Sequence, residues 1–286
     1  MRISNDRLAV EIAALGAELQ SITSSDGADW LWNGDPRWWT GRAPLLFPVV
    51  GKSPGGVVTI EGRQYPMQPH GFARRSNFEA VNEKPDRATL MLKSSPATRE
   101  SFPFEFFLSV TYSLDGDALV STVEIGNLDS RDMPFGFGFH PAFLWPLPGG
   151  EGRRHFLRLN SEDEPRFLQL DGDGLILPEA HDSPFVKGEM TLEHGLFAHD
   201  ALLFPFGIGG GITYAAEGGS SIVLSWTSLP NFAVWQKQGA PYLCLEPWHG
   251  MAARVGAGDG MTERPSTTIL PPNGTAKFEL RARFVP

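Results

Sequence analysis

The 286-residue chain has a single cysteine, Cys244. One thiol excludes an internal disulfide and a multi-cysteine metal cluster, and between Leu243 and Leu245 it reads as a small buried hydrophobe in a strand. Basic excess is also lacking. With 33 acidic against 24 basic residues the net charge is -9, so most of the surface repels nucleic-acid phosphates and anionic membranes. No apolar run reaches the roughly 18 residues of a membrane span. The opening MRISNDRLAVEIAAL carries acidic and polar residues where a secretory signal has its apolar block. These absences predict a cytoplasmic protein with neither nucleic-acid nor membrane partners. Their bearing on oligomeric state is nil.

A sustained helical period is missing too, and 24 Pro and 32 Gly interrupt most helical candidates. There is no charge block, repeat or Ser-rich tract to mark a linker, so one domain over residues 1–286 is predicted. What is present is alternation with period two. It runs through Leu8, Val10 and Ile12, through Phe106, Leu108, Val110, Tyr112 and Leu114, and through Val123 and Ile125. Further strands are expected at 78–81, 89–92, 135–139, 156–159, 201–204, 222–226, 232–236, 242–246 and 277–284. Turn clusters such as Asp115-Gly116-Asp117 separate them. A hydrophobic fraction of 41%, with 20 Phe and 8 Trp, supplies a large core. The pattern predicts an all-β fold of antiparallel sheets with few short helices, and leaves sandwich and barrel open.

Three segments concentrate groups that move protons. PHGFAR places His70 and FGFHPAF places His140 beside prolines in aromatic, glycine-rich surroundings, and PYLCLEPWHG puts Glu246 directly after an apolar run. Singly, a His-Pro pair can merely end a strand, and an acid before a proline can face solvent. Together, two imidazoles and one carboxylate suit general acid–base chemistry. Arg74 and Arg75 in HGFARR add adjacent guanidinium groups of the kind that hold phosphate. Among the tryptophans, Trp248 beside Glu246 is the best candidate for a binding face.

These segments, in order, with GRAPLLFP before them, HDALLF between the second and third, and the span from GAELQSI to LPPNGTAKFELRARF, resemble the aldose 1-epimerase (galactose mutarotase-like) family. HGFAR and LCLEPWHG are most similar to its LacX-like branch. The resemblance implies a large β-sandwich, a twisted supersandwich, with its site on a concave face. It implies opening and re-closure of a sugar hemiacetal, with Glu246 as base, His140 as acid and no cofactor. It further implies that His70 binds the sugar near its ring oxygen and that Arg42 and Asp200 hold hydroxyls. Arg74, inside the shared motif, is expected to brace the loop bearing His70. His249 is left out of catalysis.

Other readings compete with an epimerase of free hexoses. A relative of the family acts on hexose 6-phosphates, and a non-catalytic carbohydrate-binding protein could keep the same fold. His70, His140 and Glu246 could make a two-histidine, one-carboxylate metal site. No His-x-His pair or H-E-x-x-H helix supports that, so no metal is expected. Glu246 with Asp200 would suit a glycosidase, without using the histidines.

Overall fold

Alternating polarity builds the strands. The computed structural model describes residues 1–286, with 48% of them in strand and 6% in helix, as an all-β chain requires. Phe106–Asp115 buries every second side chain and pairs antiparallel with Ala118–Asn127 across the Asp115-Gly116-Asp117 turn. Both lie in a nine-stranded sheet that runs from Glu189–Thr191 at one edge to Glu79–Lys84 at the other. Its middle strand, Thr275–Val285, pairs with Ala118–Asn127 and Ser221–Thr227. Helix is confined to the single turn Pro96–Arg99, capped by Ser95, and four 3-10 turns.

A second, eight-stranded sheet is built around Tyr242–His249. That strand pairs with Asn231–Trp235 on one side and with both Phe137–Phe139 and Ala142–Leu144 on the other. The two sheets face one another across a cluster of 62 buried apolar residues drawn from both. Phe137 stacks on Phe278 at 4.9 Å, and Trp226 on Phe232 at 4.9 Å, each pair joining the sheets. Such contacts contribute about 0.5–1.5 kcal/mol beyond simple burial. Neither sheet closes on itself, so the architecture is a sandwich and not a barrel.

The sandwich fixes which face each residue serves. Along Tyr242–His249, Leu243 and Leu245 enter the core between the sheets, while Tyr242, Cys244, Glu246 and Trp248 project from the opposite face. Next door, Phe232 and Val234 point to the core, and Ala233 and Trp235 point with Glu246. The strand expected over 242–246 continues through Pro247 to His249, because Pro247 still registers with Phe232. Glu246 therefore lies inside a strand and not at its end. Short strands at Arg2–Ser4, Val57–Ile60, Arg63–Pro66 and Ile176–His181 were not anticipated, since their residues are few or mostly polar.

Candidate active site

Two adjoining strands leave a gap that holds the first catalytic candidate. His140 and Pro141 lie between Phe137–Phe139 and Ala142–Leu144, with the Pro141 carbonyl accepting from the Leu245 N–H at 3.2 Å. This sets His140 beside Glu246: His140 Nε2 lies 3.2 Å from Glu246 Oε2, with both side chains buried. Trp39 stacks on the imidazole at 5.0 Å and Trp235 meets it edge-on at 5.8 Å. His140 Nδ1, Glu246 Oε2 and the Trp248 indole N–H have no hydrogen-bond partner within the protein. Buried polar atoms are seldom left so, and these three are free to bond a polar ligand.

The second histidine arrives on a loop. His70 adopts φ 64°, and Gly71 after it φ 72°. A Cβ at Gly71 would sit 2.1 Å from the Phe47 carbonyl oxygen, so glycine is required where the loop docks on the sheet. The His70 N–H donates to the Gly51 carbonyl at 2.9 Å, and the Gly51 N–H donates to His70 Nδ1 at 3.2 Å. With Nδ1 accepting, the neutral ring carries its proton on Nε2. Arg264 secures the far side of this segment. Its buried guanidinium donates to the carbonyls of Val50, Lys52 and Met251 and to the Ser53 hydroxyl.

His70, His140 and Glu246 line one cleft of about 220 Å³, small-molecule in scale. A larger groove of about 760 Å³ beside Phe167, Ile176 and Phe206 has no histidine or carboxylate in its lining. In the cleft, burial and then the Asp200 carboxylate raise the Glu246 pKa well above 4.5, with Trp248 and Arg74 opposing. Burial, then His70 and Arg74, push His140 well below 6.5. Burial, then Arg74, Arg264, Arg75 and Lys52, push His70 down to about 3, so it is a neutral donor at physiological pH. The carboxyl thus binds its proton more tightly than usual and the imidazole less tightly, so burial favours the neutral forms of both groups.

The cleft also receives Asp200, Arg74 and Trp248. Asp200 holds φ 72° and stays exposed at its rim. Arg42 does not line it. Its guanidinium donates to the Gln20 carbonyl at 2.5 Å, while its own carbonyl accepts from Ala142 at 2.8 Å, so it supports the strand after His140. The bracing expected of Arg74 is not seen either, because its half-buried side chain has no hydrogen-bond or ion-pair partner within the protein. His249 points elsewhere, to the Ser228 carbonyl. Trp39, one of several tryptophans near the motifs, lines the cleft with Trp248, and Trp235, Lys52 and Asp171 line it without having been singled out. For Trp235 a signal existed, since period two puts it opposite Phe232 and Val234. For Lys52 and Asp171, on loops, none did.

The family model for aldose 1-epimerase matches residues 1–273. The chain belongs to the aldose 1-epimerase family. Protein LacX (plasmid) of Lactococcus lactis subsp. lactis is 29% identical over 290 aligned positions, covering 97% of this chain and 96% of that one. A galactose mutarotase related enzyme from Lactobacillus acidophilus superposes with a TM-score of 0.93 at 26% identity, covering 100% of this chain and 97% of that one. A galactose mutarotase-like protein from Lactobacillus casei ATCC 334 gives 0.88 at 28% identity and 99% of both chains. Aldose 1-epimerases are carbohydrate isomerases, and the fold is shared with both solved structures.

Proposed function

We propose that the chain interconverts the α and β anomers of a hexose by proton transfer through Glu246 and His140. The observation that carries this reading is the buried pair itself, 3.2 Å apart at the base of a small cleft. The pair holds one proton. With that proton on His140, Glu246 accepts the proton of the anomeric hydroxyl while His140 delivers its own to the ring oxygen. The C1–O5 bond breaks, the aldehyde forms, and the proton now rests on Glu246, the neutral arrangement that burial favours. Rotation about C1–C2 presents the other carbonyl face, and the reverse steps close the ring as the other anomer. His70 donates Nε2–H to the sugar, Asp200 accepts from a hydroxyl, and Trp39 and Trp248 supply aromatic faces for C–H surfaces.

A second reading, hexose-6-phosphate 1-epimerase, is favoured by one specific feature. Arg74 and Lys52 both line the cleft, and neither cation has a partner in the protein. Saturation-transfer NMR with glucose, galactose and their 6-phosphates tests both readings together. Exchange accelerated for one class and lost in Glu246→Gln is the expected result. Sugar binding with no acceleration of exchange would refute both in favour of a binding protein.

A further inference from the structure

We infer that Cys244, His140 and Glu246 form a binding site for a thiophilic divalent cation of the zinc class, which competes with sugar for the cleft. One ligand atom from each residue lies within 4.8 Å of the other two, and all three residues are buried. His140 Nε2 and Glu246 Oε2 are 3.2 Å apart, close to the edge of about 3.3 Å in a tetrahedron with metal–nitrogen and metal–oxygen bonds of about 2.0–2.1 Å. Cys244 and Glu246, two apart in one strand, share its outer face, and small Ala142 registers opposite Cys244. A second observation points the same way. Glu246 Oε2, the carboxylate atom at ligand spacing from His140 Nε2, is buried without a hydrogen-bond partner.

Charge makes this site selective for a dication. A thiolate, a carboxylate and a neutral imidazole sum to two negative charges, so the complex is neutral, whereas burial opposes either anion alone. On binding, the Cys244 thiol proton and the Glu246 carboxyl proton leave to solvent, and no electron is transferred. Three protein ligands leave a tetrahedral cation one position, on the side where His140 and Glu246 line the cleft. The same two residues carry the proposed proton transfers, so the metal-free protein is the active form and the cation is an inhibitor.

Cobalt(II) tests the site without relying on catalysis. Chelator-treated, dialysed protein is titrated with Co²⁺, and thiolate-to-metal charge-transfer absorption is followed in the near ultraviolet. The expected result is one equivalent bound with that band, the band being lost in Cys244→Ser, Cys244→Ala and Glu246→Gln, each checked for folding by circular dichroism. In parallel, Zn²⁺ inhibits anomer exchange in the wild type, and about tenfold or more Zn²⁺ is needed in Cys244→Ala, whose uninhibited rate stays near normal. Absence of the thiolate band in the wild type overturns the proposal. So does Zn²⁺ inhibition unchanged by both cysteine variants, which would put the cation on histidines alone. If anomer exchange proves absent while the band appears, the metal site stands and the proposed function falls.

Discussion

Replacing Glu246 by Gln is expected to slow anomer exchange and, at neutral pH, to stabilise the fold. Gln keeps the volume and one acceptor oxygen beside His140 but cannot take a proton. The other carboxylates lining the cleft, Asp171 and Asp200, are not paired with His140, so neither inherits the role. Loss of a general base predicts a fall of about 10²–10⁴-fold, or about 2.7–5.5 kcal/mol in the barrier. The stability effect follows from the raised pKa of Glu246. The folded chain holds this proton more tightly than the unfolded chain, whose value is near 4.5. Its favourable contribution is therefore complete below that pH and is lost as pH rises through the higher folded value. Gln titrates nothing, so its advantage in melting temperature over the wild type should grow from about pH 5 to about pH 8. Saturation-transfer NMR gives the rate, and thermal melts followed by circular dichroism give the stability. A rate within tenfold of wild type, or a relative stability that declines with rising pH, would refute the assignment of Glu246 as a buried base.

Four further outcomes are expected. His140→Asn should reduce exchange by about 10²–10⁴-fold while sugar still binds in calorimetry, and a loss below tenfold would demote it to a structural residue. Arg74→Ala should leave the melting temperature within about 2 °C, because the guanidinium has no internal bond to lose. If the phosphate reading holds, it raises KM for the 6-phosphate alone by the worth of a charge-assisted hydrogen bond, about 1.5–3 kcal/mol. Gly71→Ala should lose activity and more than about 2 kcal/mol of stability in denaturant titration, since the added carbon meets the Phe47 carbonyl at 2.1 Å and φ is 72°. Exhaustive chelation should leave the exchange rate unchanged or raise it, and activity lost with a removed metal and restored with it would contradict a mechanism of proton transfer alone.

The sequence by itself determined most of the long strands and the motifs, whereas the face on which Glu246 lies, inside a strand buried on both sides, came from the fold. Period two in Phe106–Leu114 is a local property, since side-chain direction along a strand alternates whatever the strand packs against. It therefore survived folding almost residue for residue. The histidines beside their prolines and the glutamate in LCLEPWHG could be picked out for the same reason. Tertiary structure alone decided which of these groups meet. Sheet order brings His140 against Glu246 across more than a hundred residues of chain, and the Arg264 clamp on Val50–Ser53 with the left-handed His70-Gly71 step delivers the second imidazole. The same packing turned Arg42 to the Gln20 carbonyl and left Arg74 without a protein partner. It also laid Trp39 over His140 and gathered Cys244 beside the pair. Long side chains on loops choose among partners by what folding brings within reach, and residue type and spacing carry no record of that choice.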